Sequence, residues 1–406
     1  MKKVIVIGGG PAGMMAANAA AEQGASVTLI EQNSILGKKL LITGKGRCNV
    51  TNFSDENELI SQVIRNPKFL YSAFSAFNAY DAYAFFEECG VPLKIERGNR
   101  VFPESDRAVD IRDAFKGKLQ KNKVKCVNDR IHTIQIDPFL LEGESGKYTC
   151  DSLIIATGGI SYPATGSRGD GHQIAKAMGH HIVPCRPALV PLLEEGAICA
   201  DMAGLSLKNI QLTIINKAGK EIFSQFGEML FTHEGISGPL VLSASSYLED
   251  NDFSCRAMID LKPALDEETL DKRICRDFEA FTNRAFRNAL GKLLPQKIIP
   301  QIINKCNIPH DMKVHQITRE QRRNLVYIIK HFEVKLSKKS GFSEAIVTAG
   351  GVDVKDIDPR TMESRIVPNL YFAGEILDVD ALTGGYNLQI AYSTGRLAGI
   401  NASKEN

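Results

Sequence analysis

Six residues near the start of the chain, Gly8-Gly9-Gly10-Pro11-Ala12-Gly13, fit the spacing G-x-G-x-x-G, and Glu31 follows about 20 residues on. Each position has a mechanical task. Gly8 permits a tight turn, Gly10 lets backbone approach a pyrophosphate, and Gly13 allows a helix to pack closely on a strand. Ala17, one turn later, keeps that contact close. A helix opening here offers free N–H groups to phosphates, and Glu31 can accept hydrogen bonds from a ribose. The chemistry implied is the holding of a dinucleotide.

The following segment, LGKKLLITGKGRCNVTN (36–52), is dense in Gly, Lys and Asn but lacks the G-x-x-x-x-G-K-[ST] spacing of a nucleotide-triphosphate loop. Such a loop can run along a long cofactor with Lys39 and Arg47 near phosphates, or it can be a solvated basic loop. Two distant stretches complete the pattern. LIIATGG (153–159) is a strand ending in glycines, and residues 369–399 read as strand, Gly-Glu, loop, Gly-Gly, helix. A second helix N-terminus at Gly385-Tyr386-Asn387 would set oriented N–H groups beside an electron-rich ring and stabilise charge on the N1/O2 edge of a reduced flavin. A nicotinamide needs no such closing element, so FAD is the expected cofactor.

Other reactive side chains are more isolated. His233, in the Gly/Pro-bounded run FTHEGISGP (231–239), is placed to act as acid or substrate anchor, or to serve as a turn residue. Cys48 adjoins the flavin loop and is either redox-active or a small packed residue. Tyr386 is expected to stack, donate a proton or pack. His180-His181 lacks a third ligand at useful spacing, and no C-x-x-C pair exists, so no metal is expected.

These residues need elements to position them. The apolar run 4–7 reads as a buried parallel strand, 14–23 as a helix closed by Gly24, and 26–31 as a second strand. Helices are expected over 68–89 and 108–121, an alternating strand over 123–136, and a third buried strand over 152–156. From 205 to 262 short alternating stretches predict an antiparallel sheet or small barrel. Residues 266–331 are helical in pattern, capped at Asp266 and at Thr318, where Thr318 and Gln321 have capping-box spacing. Buried strands return at 345–352 and 370–374, and a helix spans 386–399.

Composition sets outer bounds. The 406 residues suffice for two or three domains, and a net charge of +2 argues against a chain-wide nucleic-acid coat. The charge is uneven: residues 266–340 hold sixteen Lys/Arg against nine Asp/Glu, a net of +7, leaving −5 elsewhere. That basic segment suits an RNA backbone, or is a solvated helical surface. Nine scattered cysteines read as reduced thiols, and no membrane-length apolar run occurs, so a cytoplasmic protein is expected.

The glycine fingerprint with Glu31, LGKKLLITGKGRCNVTN, FTHEGISGP, TAGGV (348–352) and GEILDVDALTGGYNLQIAYSTG together resemble the BaiN/RdsA-type flavoproteins, which include bile-acid-inducible enone reductases and aminoacetone oxidases. The resemblance spans nearly the whole chain. It implies a glutathione-reductase-like, doubly wound α/β FAD domain (1–189 and 344–406). The insert would be a small β-barrel (190–265 and 332–343) plus a helical bundle (266–331). By motif it places Gly8, Gly10, Pro11, Ala12 and Gly13 at the pyrophosphate, and Glu31 with Gln32 at the adenosine. Lys39, Arg47, Cys48 and Asn49 run toward the flavin, Ile131 meets adenine, and Thr157 and Gly158 line the cofactor. Gly374, Glu375 and Asp378 fall at the ribityl chain, where relatives often carry Gly-Asp. Gly385, Tyr386, Asn387 and Leu388 fall at the isoalloxazine.

A shorter likeness joins ATGGISYPATGSRGDGHQIA (156–175) to fumarate-reductase-type flavoproteins, which move hydride between flavin N5 and a C=C bond. The resemblance thus implies reduction of an activated C=C bond, in a steroid-like enone or a pyrimidine of RNA. NAD(P)H would be a transient donor, because only one dinucleotide fingerprint is present. An oxidase of a small amine such as aminoacetone, and a flavin-bearing RNA-binding protein without turnover, are the alternatives. His233 and Tyr386 are the expected substrate contacts.

Overall fold

A computed structural model describes residues 1–248 and 254–405. In chain order the elements used below are β1 (Lys3–Ile7), α1 (Pro11–Glu22), β2 (Ser26–Glu31), α2 (Ala108–Lys121), β3 (Lys125–Asn128), β4 (Ser152–Ile155), α3 (Asp170–Ala177) and β5 (Ile182–Ala188). Then come β6 (Leu192–Glu194), β7 (Ser206–Ile215), β8 (Glu221–Phe231), β9 (Gly235–Ser237), β10 (Cys255–Asp260), α4 (Glu267–Glu279), α5 (Ile299–Cys306), α6 (Arg319–Lys330) and β11 (Phe332–Lys339). The chain closes with β12 (Val347–Val352), β13 (Leu370–Phe372) and α7 (Tyr386–Ala402). These fall into two compact units, Met1–Ala188 with Phe342–Asn406, and Leu189–Gly341.

The first unit is a Rossmann-like α/β domain. Its five-stranded parallel sheet has the order β13-β4-β1-β2-β3. The central strands are apolar on both faces, with Val4, Val6, Leu29, Leu153, Ile154 and Ile155 buried, and α1 and α7 pack against them. The last helix closes on the first: a Cβ at Gly395 would lie 2.4 Å from Ala12 O, and one at Gly399 would lie 2.3 Å from Ala16 O. Glycine at these two positions, one turn apart, lets α7 lie directly on α1.

Two expected elements divide. The stretch 68–89 is interrupted at Phe77, and Asn78 starts a fresh helix over Ala79–Glu88 with a complete capping box to Asp81. The stretch 123–136 is two strands in two sheets, β3 in the parallel sheet and Ile131–Gln135 in an antiparallel three-stranded sheet. Asp129 makes the corner: its carboxylate accepts from Arg130 N, Ser145 N and the Tyr148 hydroxyl.

The second unit contains a closed six-stranded barrel in the order β6-β9-β8-β7-β10-β11. Its helices α4, α5 and α6 share one hydrophobic core with it, where Ile259 and Phe332 of the barrel join Leu270, Ile302 and Ile329 of the helices. Asp266 caps α4 by accepting from Thr269 N, and Thr318 with Gln321 forms the capping box of α6. Among the described residues no helix is long and apolar enough to cross a membrane.

Candidate functional site

The site is built where the parallel strands of the first unit end. Gly8 leaves β1 with φ +107°, and a Cβ there would sit 2.4 Å from Ala156 O at the end of β4. A Cβ at Gly13 would sit 1.8 Å from Gly8 O, so the first turn of α1 presses on the loop that precedes it. Gly10 differs: nothing of the protein lies within 4 Å of its Cβ direction, and its backbone is ordinary extended chain, φ −77° and ψ −178°. No side chain caps α1. The opening above Gly10 is therefore lined by backbone and left open on the ligand side, as a pyrophosphate requires.

Glu31 stands at the end of β2 beside this loop. One carboxylate oxygen accepts from Gly9 N at 2.6 Å and the other from Asn33 N and Nδ2 at 2.8 and 2.7 Å. The carboxylate is thus aimed by backbone on both sides. Gln32 donates to Gly166 O at 2.7 Å, tying β2 to the loop after β4. Thr157 lies next to Gly8, and its hydroxyl oxygen is buried without a hydrogen-bond partner. Gly158 takes φ +75°. Ile131 is buried at the head of its strand, and Arg130 beside it pairs with Asp170 of α3 at 3.0 Å.

The segment 36–52 reaches the other helix N-terminus. A Cβ at Gly385 would meet the Thr51 carbonyl carbon at 2.4 Å, the Thr51 hydroxyl donates to Gln389 Oε1 at 2.7 Å, and Asn52 Nδ2 donates to Gly384 O at 3.3 Å. Gly385 takes φ +100° and leaves α7 without a side-chain cap. Gly374 joins the two helices: its N–H donates to Thr394 at 3.0 Å, and a Cβ there would lie 2.6 Å from the Ala12 Cβ. The amino-terminal turn therefore lies against the carboxy-terminal helix, through Gly374 and Gly395 at Ala12. Asn49 Oδ1, in the connecting segment, is buried without a partner. Two uncapped helix N-termini, an open face at Gly10 and two unsatisfied buried oxygens suit a ligand with anionic groups and donors along its length, as FAD has.

Several expected contacts are committed within the protein. Lys39 Nζ is held by Glu375 at 2.7 Å and by the Ser161 hydroxyl at 2.6 Å. Glu375 also accepts from Ser161 Oγ and Thr348 N at 2.6 and 2.9 Å. Burial alone would raise the Glu375 carboxyl, but Lys39, Ser161 and Thr348 together hold it below the usual range. Ser161 and Thr348, which complete this buried cluster, were not singled out by the sequence. Arg47 turns away to Glu96 and Asp106 at 2.5 and 2.6 Å and stacks over Phe102. The Asn387 side chain clamps its own loop, accepting from Ala381 N and donating to Ala381 O. Leu388 packs partly buried in the same turn.

Cys48 is fully buried with φ +60°, and burial pushes its thiol up to about 12 despite a hydrogen bond with Thr43. It cannot form a thiolate at neutral pH, which favours the packing role. Native protein at pH 8 is expected to label at exposed Cys126 with iodoacetamide while the Cys48 peptide stays unmodified by mass spectrometry.

Asp378 accepts from Arg65 at 3.2 Å and from Asn66 Nδ2 at 3.1 Å. Asp380, fully buried two residues on, has one cationic partner among the described residues, Arg65 at 3.7 Å, and one oxygen without a hydrogen bond. Burial, opposed by Arg65 and reinforced by Asp378 and Glu375, raises this carboxyl to about 7. A carboxyl raised on folding binds a proton in the folded state that the unfolded chain has released, so stability falls as pH rises from about 4 toward 7. Asp380→Asn is expected to raise stability by about 2–4 kcal/mol at pH 8 and by less at pH 5, read as Tm. An equal gain at both pH values would contradict this assignment.

Tyr386 is buried, and burial, with Glu58 adding, raises its phenol to about 12. His233 lies in the second unit, exposed in the turn between β8 and β9 that Thr232 closes on Gly235. His180 is buried against Ala175 O and Ser364, and among the described residues no cluster suits a metal.

Comparisons with known proteins agree with this geometry. The family model described as HI0933-like protein Rossmann domain matches residues 2–401. The chain is 30% identical to a 3-dehydro-bile acid delta(4,6)-reductase of Clostridium scindens, covering all of both chains. It is 33% identical to a ribosomal RNA dihydrouridine synthase of Haemophilus influenzae, covering 99% of this chain and 98% of the relative. Among solved structures, a 3-ketosteroid-delta4-(5alpha)-dehydrogenase from Rhodococcus jostii shares the fold, with TM-score 0.53, 14% identity and coverage of 100% and 97%.

Proposed function

The chain belongs to the HI0933-like Rossmann family and is an FAD-dependent oxidoreductase, and from that premise we propose that it reduces a C=C bond conjugated to a carbonyl group. The observation that carries the reading is a pair of uncapped helix N-termini on parallel, packed helices: α1 starts beside the open Gly10 with Glu31 bound to the same loop, and α7, which meets Ala12 at Gly395, starts nine residues earlier, roughly 14 Å further along. Bound FAD would supply two-electron, hydride-level exchange at N5.

The remaining roles belong to the protein's own side chains and backbone. The α1 N-terminus would hold the pyrophosphate, and Glu31 the adenosine ribose. Backbone N–H groups of Tyr386, Asn387 and Leu388 at the α7 N-terminus would stabilise negative charge at the ring's N1/O2 edge. The phenol of Tyr386 stays protonated at neutral pH, so it can donate a hydrogen bond to a substrate carbonyl and cannot act as a base.

Two relatives point to the same bond type. One is named as a reductase of a 3-dehydro-bile acid and the other as a dihydrouridine synthase of ribosomal RNA. A steroid enone and the uracil ring both present a C=C bond conjugated to C=O. We place the uracil of RNA first, because residues 266–340 carry +7 on a chain of net +2. A steroid-like enone is the second reading, supported by the first relative. NAD(P)H would supply the hydride equivalent, and water the proton.

Anaerobic mixing of the yellow protein with NADH or NADPH is expected to bleach the flavin band, and an unsaturated substrate to restore it. Bleaching by aminoacetone but not by NAD(P)H would replace this reading with an amine oxidase.

A further inference from the structure

The helical part of the second unit carries a groove that the flavin chemistry leaves unused. It encloses about 680 Å³, within the range of small-molecule and nucleobase-sized sites. Its floor is Ile299, Ile303 and Ile308, all buried. Its rim is Arg287, Asn288, Asn304, Asn307 and His310, all exposed.

The local charge is one-sided. Residues 284–313 hold six cations, Arg284, Arg287, Lys292, Lys297, Lys305 and Lys313, and one acid, Asp311. Asp311 is itself engaged by Arg287 at 3.3 Å and His310 at 2.9 Å. Arg284 and Lys292 lie over the Phe281 ring at 4.3 and 4.8 Å, which holds two of the cations in fixed positions. An anionic ligand is favoured by this field, and an apolar floor with carboxamides at its edge asks for a flat heterocycle with both donors and acceptors. A lipid surface would use the cations but not the carboxamides, and an acidic peptide would not need the apolar floor. A single-stranded nucleic acid uses all three features.

We propose that this groove binds an unpaired segment of RNA, with a base face on Ile299, Ile303 and Ile308, base edges at Asn288 and Asn304, and phosphates at Arg287 and the surrounding cations. This deepens the RNA form of the proposed function and rests on it for the nature of the substrate, while standing on a surface remote in sequence from the flavin residues.

The test uses the full-length, flavin-loaded protein and a fluorescein-labelled 20-nucleotide oligouridylate, followed by anisotropy at several KCl concentrations. Arg287→Glu is expected to weaken binding about tenfold or more and to lower the salt slope by about one. Asn304→Leu is expected to weaken binding about tenfold with the salt slope unchanged. Arg319→Glu, an equal charge change on α6 outside the groove, is expected to change binding less than threefold. All three positions are exposed, and unchanged Tm and flavin spectra verify folding.

Equal losses for Arg287→Glu and Arg319→Glu, with none for Asn304→Leu, would overturn the groove in favour of diffuse attraction. Binding to anionic phospholipid vesicles but not to the oligonucleotide would overturn it in favour of a membrane surface. If RNA is not bound while NAD(P)H still drives reduction of a small enone, this inference fails and the proposed reaction stands. If RNA binding follows the groove variants while no reductant bleaches the flavin, the reaction fails and the groove stands.

Discussion

A Gly10→Val variant is expected to fold with the wild-type Tm in its flavin-free form and yet to purify colourless. The backbone at Gly10 is extended, where valine is at ease, and the new side chain would meet no protein atom within 4 Å. It would instead occupy the space above the α1 N-terminus. Loss of FAD by about 100-fold or more in Kd corresponds to roughly 3 kcal/mol, a modest estimate for a blocked pyrophosphate. Gly13→Val makes the contrast. Its Cβ would fall 1.8 Å from Gly8 O, a backbone atom that cannot step aside, so the fold itself should fail by more than about 4 kcal/mol. Flavin titration and thermal melts on both variants separate the two roles. A yellow Gly10→Val protein with wild-type affinity would show that the cofactor lies elsewhere.

The second large effect concerns Lys39. In Lys39→Met the Glu375 carboxylate loses its only ammonium partner among the described residues while Ser161 and Thr348 remain. Removing one member of a buried pair costs about 3–5 kcal/mol, and the part exposure here places the expectation near 2–3 kcal/mol. The sign with pH follows from burial: without Lys39 the carboxyl rises, so the variant loses further stability as pH rises from 5 to 8. Adding Glu375→Gln should restore most of the loss and flatten the pH dependence. If the double variant is as unstable as the single, the ammonium is supporting something other than this carboxylate.

The parts of the fold set by local chemistry were legible in the sequence. The apolar run of β1, the glycine turn and the alanine-rich α1 need only neighbours to specify them, and the caps at Asp266 and Thr318 are local as well. The corner at Asp129 was not legible, because its partners Ser145 and Tyr148 come from a later hairpin. The site divides the same way. Glu31 and the glycines announce themselves by spacing. Lys39 and Arg47 are expected from the sequence near phosphates, but their carboxylate partners lie 336, 49 and 59 residues away, so spacing could not show that each is already paired within the protein. The raised carboxyl of Asp380 is wholly a product of burial and could not be read before the chain was folded.

β5 and β12 run antiparallel side by side, from Ile182 opposite Val352 to Ala188 opposite Val347, at the points where the chain leaves the first unit and returns to it. On the ribosome this sets an order of events. β13 and α7, which finish the sheet and cover α1, emerge last, after the whole of Leu189–Gly341 has been made. At ~5–20 residues per second the nascent amino-terminal half waits roughly 8–30 seconds for its missing strand and helix. The barrel, whose strands all lie between Leu192 and Lys339, can be complete before then, and its first and last strands, which pair with each other, would hold the two halves of the flavin domain within reach of each other when the last helix arrives.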